Sequence, residues 1–163
     1  MQLTRYTDYS FRVLIYLSLH KDRSATISEI ADFYQISRNH LVKVVHNLSV
    51  KNYLNSSRGK GGGLKLARSP ELINVGSVVR DTEPNFYAAE CFNNEPSNCS
   101  IEVICHLKNI LAEATEHFLD TLGKYTIADI ITDKISSDAA IELDPEIKRV
   151  LSQTIDNAAT TDL

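Results

Sequence analysis

Cys91, Cys99 and Cys105 are the only cysteines in the chain, and all three fall within fifteen residues. They sit in a polar run, Glu90-Cys-Phe-Asn-Asn-Glu-Pro-Ser-Asn-Cys-Ser-Ile-Glu-Val-Ile-Cys105. Thiols gathered in one segment, with none elsewhere, fit a soft-metal site held by thiolates better than a set of small core residues. Thiolate also suits signalling: it binds iron or zinc, it oxidises, and it responds to small reactive molecules.

The spacing is Cys-x7-Cys-x5-Cys. Structural zinc sites usually pair ligands about two to four residues apart, so these wider gaps suit a larger object that the loop wraps around. Iron–sulfur clusters are held by thiolates and normally want a fourth ligand, which this trio lacks. Asp8, His106, His117, or a thiol or water from solution are the candidates. His106 directly follows Cys105 at a helix start, so its side chain points about 100° away from the sulfur. His117 reads as a solvated residue of a long helix.

The elements that must position these groups begin with a helix over residues 8–20, which sets Phe11, Leu14, Ile15 and Leu19 on one face with Thr7 as its N-cap. The polar run Lys21–Thr26 ends it. A short helix follows over Ile27–Tyr34, with Ile27, Ile30, Ala31 and Tyr34 inward, and Gln35-Ile36 makes a tight corner. Ser37 then caps a third helix, roughly 38–50, whose apolar stripe is Leu41, Val44, Val45 and Leu48. Its opposite face carries Arg38, Asn39, His40, Lys43 and His46, all donors or positive charges. This is the helix-turn-helix pattern, with the third helix as the reading helix.

Next, Tyr53–Ala67 reads as two short strands joined by a glycine-rich turn, in which Gly59, Gly61, Gly62 and Gly63 can take positive φ. Leu64 and Leu66 alternate with Lys65 as a half-buried strand requires. Arg58 and Lys60 lie at the tip, where a basic wing can enter a minor groove. A phosphate-cradling nucleotide loop would need a helix directly after the glycines, and Leu-Lys-Leu-Ala reads as strand. Residues 74–82 form a short helix packing Val75, Val78 and Val79, and Pro84 ends it. A longer helix, about 103–122, sets Ile104, Leu107, Leu111, Ala114 and Phe118 at spacings of three and four, a seam suited to a partner helix. Thr126–Ile131 adds a turn or two of helix. Beyond Lys134 the chain is acidic and poor in aromatics, which fits a flexible tail.

Charge divides along the same lines. Residues 1–70 hold eleven Lys/Arg against four Asp/Glu, a balance of +7; residues 71–163 hold six against seventeen, a balance of −11. A basic half joined to an acidic half fits a first part that meets a polyanion and a second that stays clear of it. No stretch approaches the ~20 apolar residues of a membrane span. The N-terminus shows no apolar leader, and an odd number of cysteines argues against a disulfide scaffold. A reducing cytoplasm is therefore expected, with no membrane partner. No nucleophile–base pair, nucleotide loop or paired carboxylates point to an enzyme.

Several motifs together carry a family likeness: Leu3-Thr…Tyr6-Thr-Asp-Tyr9, Ile36-Ser-Arg-Asn-His-Leu-Val-Lys43, Arg58-Gly-Lys-Gly-Gly-Gly-Leu-Lys-Leu66, and the three cysteines. From residue 1 to about 133 the chain resembles the winged-helix iron–sulfur regulators, the family of IscR and RirA. Within it, Ile73–Arg80, Glu90-Cys-Phe, Cys105-His-Leu-Lys108 and Lys124–Asp129 are most similar to the nitric-oxide-sensing repressors. The resemblance implies a mainly α fold. Residues 1–82 would form a winged helix-turn-helix with a two-stranded wing, and 83–106 a cluster loop. A dimerisation helix and following turn would occupy 103–133, and an acidic tail 134–163. It implies a cytoplasmic homodimeric repressor on operator DNA, contacted through Ser37, Arg38, Asn39, His40, Lys43, Arg58 and Lys60, with nitric oxide as signal. It also implies an iron–sulfur cluster on Cys91, Cys99 and Cys105, with Asp8 of the partner subunit as fourth ligand and 4Fe–4S ahead of 2Fe–2S. The IscR pattern has a histidine three residues after the last cysteine; Lys108 stands there and counts against that branch. RirA, an iron-responsive repressor, shares the spacing, so iron or cluster availability is the rival signal. A cluster carrier or redox protein without specific DNA binding is opposed by the basic half.

Overall fold

The computed structural model describes residues 2–57, 59, 62–93 and 99–132. Arg58, Lys60 and the acidic tail 134–163 lie outside the described residues. Helix α1 (Arg5–Leu19) begins earlier than its sequence pattern indicates, because Thr4 and not Thr7 is the N-cap. The extended Thr4 (φ −66°, ψ 155°) accepts the Thr7 N–H on its hydroxyl at 3.3 Å, the geometry a cap requires. Thr7 sits inside the first turn, fully buried, where its hydroxyl accepts from Thr82 Oγ1 at 2.9 Å. Two threonines compete for one cap here, and a tertiary partner decides between them.

Helix α2 (Ile27–Tyr34) opens on a capping box: the Thr26 hydroxyl accepts the Glu29 N–H at 3.1 Å, and the Glu29 carboxylate accepts the Thr26 N–H at 3.3 Å. Gln35 closes it in the left-handed region (φ 53°), and the chain turns at once into α3 (Arg38–Val50). Ser37 occupies the N-cap position of α3, yet its side chain makes no capping hydrogen bond. The expected stripe Leu41, Val44, Val45 and Leu48 is buried. Each such aliphatic side chain contributes roughly 1.5–3 kcal/mol relative to exposure.

Strands β1 (Leu54–Ser57) and β2 (Gly63–Leu66) pair antiparallel, Leu54 opposite Leu66 and Ser57 opposite Gly63. Ala25 adds a rung that the sequence pattern does not reveal, exchanging backbone hydrogen bonds with Leu64 at 2.8 and 3.1 Å. That rung explains Gly63, whose φ is +154° and whose missing Cβ would lie 2.9 Å from the Ala25 carbonyl oxygen. Gly59 also takes positive φ (101°) in the turn.

Helix α4 (Val75–Thr82) is capped by Asn74, whose Oδ1 accepts the Ser77 N–H at 3.0 Å. The cysteine segment contains two single 3-10 turns, Glu90–Phe92 and Glu102–Ile104, before α5 (His106–Leu122) and α6 (Ile127–Thr132). Ile104 therefore lies in a 3-10 turn ahead of the long helix and not on its seam, because Cys105 (ψ 102°) breaks helical geometry between them. Helix α6 folds back onto α1 and joins the main core through fully buried Ile127. The Ile127 N–H donates to the Ile73 carbonyl at 2.9 Å, and the Val75 N–H to that of Tyr125 at 2.9 Å. One core thus unites α1, α3, the hairpin, α4 and α6, while α5 stands largely outside it.

Candidate nucleic-acid interface and thiolate site

Burying Leu41, Val44, Val45 and Leu48 leaves Arg38, Asn39, His40, Lys43 and His46 exposed along one surface of α3. Two neighbours hold this face. Arg38 Nε donates to Ser28 Oγ on α2 at 3.2 Å, and Tyr6 Oη on α1 donates to the Lys43 carbonyl at 3.3 Å. The His40 ring stacks loosely on Tyr9, centroids 6.4 Å apart. Ser28, Tyr6 and Tyr9 carry no sequence signal for these contacts, since their partners are ten to thirty-seven residues distant.

Cys91 lies half-buried in the first 3-10 turn, Cys105 half-buried at the N-cap of α5, and Cys99 exposed between them; none of the three is in a disulfide. Among the described residues, no group of three or more His, Cys, Asp or Glu is arranged to hold a metal ion within one chain. The expected sulfurs are thus not gathered round a common centre in a single copy. The donor chemistry nevertheless fits a soft metal: three cysteine thiols in one segment, none in a disulfide. In the same segment Lys108 donates to Glu102 Oε1 at 2.6 Å. The Glu102 hydrogen bond raises the Lys108 pKa most, and the charges of Cys91 and Cys105 add to it.

The other expected ligands stand apart. Asp8 is held in its own helix by the fork of Arg12, with Nη2–Oδ2 3.0 Å and Nε–Oδ1 3.2 Å. His106 and His117 are exposed, and His117 lies 3.7 Å from Glu113.

Helix α5 presents Leu107, Ile110 and Ala114 to solvent, with Val103 and Ile104 beside them at 99% and 77% exposure. Leu111, Ala114 and Phe118 form one wall of an open groove of about 500 Å³, with Leu3, Tyr87 and Ala88 opposite. The helix touches the body through buried Leu119, where α4 approaches so closely that a Cβ on Gly76 would lie 3.1 Å from the Leu119 carbonyl oxygen. No helix among the described residues is long and apolar enough to cross a membrane.

A family model, Rrf2, described as an iron-dependent transcriptional regulator, matches residues 3–133. The HTH-type transcriptional regulator NsrR of Bacillus licheniformis is 48% identical over 132 residues, which span 80% of this chain and 92% of that protein. Its namesake in Bacillus subtilis is 45% identical over 135 residues, spanning 82% and 92%. Among solved structures, T. potens IscR matches with TM-score 0.64 at 22% identity, over 82% of this chain and 88% of that one. CymR, the global cysteine regulator of B. subtilis, matches with TM-score 0.60 at 21% identity, over 80% and 95%. Both share the winged-helix fold expected from sequence. The sequence relatives are transcriptional regulators and not enzymes. With residues 3–133 matched, the chain belongs to the Rrf2 family of DNA-binding, helix-turn-helix transcriptional regulators.

Proposed function

We propose that this protein is a cytoplasmic homodimeric repressor that releases its operator in response to nitric oxide. Family membership implies an iron–sulfur cluster, and the chain's only thiols, Cys91, Cys99 and Cys105, would hold it. The observation that carries the reading is their position: three cysteines, none in a disulfide, in the segment that leads into the exposed α5, in a chain 42–48% identical to several NsrR regulators. The cluster favoured is 4Fe–4S, with Asp8 of the partner subunit as fourth ligand. A bound cluster supplies iron that nitric oxide attacks.

The protein's own residues do the rest. Carboxylate is a harder and weaker partner for iron than thiolate, so Asp8 would hold a cluster less firmly than the cysteines would. Within one chain Asp8 is held by the Arg12 fork at 3.0 and 3.2 Å. Helix α1 carries Asp8 and is bonded to α3 through Tyr6 and Lys43, which gives a physical route from ligand loss to the reading helix. In the bound state Ser37, Arg38, Asn39, His40 and Lys43 enter the major groove, and Arg58 and Lys60 on the wing reach the minor groove. Residues 1–82 read DNA, 83–106 hold the cluster, and 103–133 supply the dimer contact.

Anaerobic purification, a visible spectrum with iron and sulfide counts, and nitric oxide titration against an operator fragment test the reading. A coloured protein that lets go of DNA as nitric oxide is added supports it. Colourless, iron-free protein that holds DNA equally well with all three cysteines replaced overturns it. The description of the family as iron-dependent favours a second reading, in which cluster availability is the signal. Release by an iron chelator without response to nitric oxide would select that one.

A further inference from the structure

Helix α3 carries an aliphatic side chain that the core does not take up. Leu41, Val44, Val45 and Leu48 fill its buried face, and Val42 joins neither that core nor the half-buried side chains packed against it. Val42 is 40% exposed. Arg38 stands one turn before it and His46 one turn after, Asn39 precedes it by three positions, and Lys43 follows at once. All four of these polar neighbours are exposed. Residues three and four apart share a helix surface, so Val42 lies among Arg38, Asn39 and His46 on the outward side. A single surface valine elsewhere needs no explanation. This one interrupts a field of donors within the first two turns of α3, the part of a reading helix that meets base edges.

We infer that Val42 is a specificity-determining residue of the reading helix, its side chain packing on the 5-methyl group of one thymine in each operator half-site. This rests on the reading above, in which α3 enters the major groove. There a base pair presents hydrogen-bonding atoms and a single kind of apolar group, the thymine methyl. Arg38, Asn39, His40 and Lys43 are suited to the first, and Val42 is the side chain among them suited to the second. The backbone around it is held in place. Arg38 Nε donates to Ser28 Oγ at 3.2 Å, and Tyr6 Oη donates to the carbonyl of Lys43, the residue after Val42, at 3.3 Å. Valine is branched at Cβ and keeps one preferred χ1 in a helix, so its methyls are already placed and lose little freedom on contact. Water released from both apolar groups favours the match, and a cytosine or purine at that position leaves the valine without an apolar partner.

The test uses the full chain, purified without oxygen, and a duplex that the parent enriches from a random pool. Each thymine of that duplex is replaced in turn by deoxyuridine, which lacks only the 5-methyl group. At one thymine, parent affinity should fall about four-fold per half-site, the worth of one methyl removed from water. Val42→Ala should bind the unmodified duplex more weakly and be indifferent to deoxyuridine at that same position, the non-additivity expected of a direct contact. Val42→Thr, which keeps one methyl in nearly the same volume, should retain part of the response. Alanine favours a helix more than valine does, so Val42→Ala should melt as the parent does, which separates a lost contact from a lost fold. A parent indifferent to every deoxyuridine, or a deoxyuridine cost that persists undiminished in Val42→Ala, overturns the role of Val42 alone. A parent that enriches no duplex overturns the proposed function and this inference with it.

Discussion

Asp8 is already engaged within its own helix, and that shapes what its loss should do. Its carboxylate closes a two-point fork with Arg12, both side chains being partly exposed, so the pair itself contributes little to stability. Asp8→Ala should therefore leave the fold intact and still permit cluster assembly on three cysteines, while altering the rate of reaction with nitric oxide. Parent-like spectra and nitrosylation kinetics in Asp8→Ala would remove Asp8 from the site. Arg38 presents the opposite case, an exposed guanidinium steadied by Ser28 at 3.2 Å. Arg38→Ala should cost roughly 1–3 kcal/mol of operator affinity and relax specificity at one base pair, as read by competition gel shifts. Unchanged affinity would take Arg38 out of the groove. Side chains whose chemistry is intrinsic are legible without a structure: cysteines announce themselves by type, and donors by lying opposite an apolar stripe. Ser28 and Tyr6 do not, because their roles come from partners that only folding brings near. The same applies to Thr4 and Thr7, where a contact with Thr82 across the core decides which residue is the cap.

Helices α2, α3 and α4 follow their apolar periodicity closely, since each has one buried face and a breaker at each end. Helix α5 does not, at its start. Val103 and Ile104 continue the apolar rhythm, but the backbone there is a 3-10 turn that ends at Cys105, a geometry set by the loop and invisible to side-chain spacing. The Ala25 rung is equally hidden, because a single bridging residue leaves no alternation. Two consequences belong at this scale. The capping carboxylate Glu29 is paired with Arg23, whose hydrogen bond is the main cause holding the Glu29 pKa below the ordinary 4.5. A depressed carboxylate stabilises the fold at full strength above its unfolded value and loses that stabilisation as pH falls through the folded one. Melting temperature should therefore drop below pH 4.5 in the parent and less steeply in Glu29→Gln, and parallel profiles would deny the pairing. At Gly76 the α4–α5 contact admits no side chain, a Cβ there falling 2.8 Å from the Gly123 nitrogen. Gly76→Ala should destabilise by about 1–3 kcal/mol through overpacking, seen as a lower urea midpoint with unchanged slope.

At the scale of the whole molecule, α5 is the one long element whose apolar side chains are left largely uncovered among the described residues. Leu107 is 58% exposed and Ile110 59%, and the groove along Leu111, Ala114 and Phe118 stays open. Contiguous apolar surface of this kind marks an interaction site, and in the proposed homodimer a second copy would supply a matching helix by two-fold symmetry. The cysteine loop leads directly into that helix, so pairing α5 with α5 would bring the loop of one subunit toward the body of the other. That pairing would account physically for the lack, among the described residues, of a metal-holding group within one chain. Leu107→Glu discriminates well, because a side chain already facing solvent costs the lone subunit almost nothing when it becomes charged. Sedimentation should show a dimeric parent and a monomeric variant of equal melting temperature. Operator affinity should fall toward that of a single half-site, and iron retention should fall with it if Asp8 reaches across the interface. A Leu107→Glu protein that stays dimeric and keeps its iron would place the subunit contact elsewhere, and the crossed ligand would go with it.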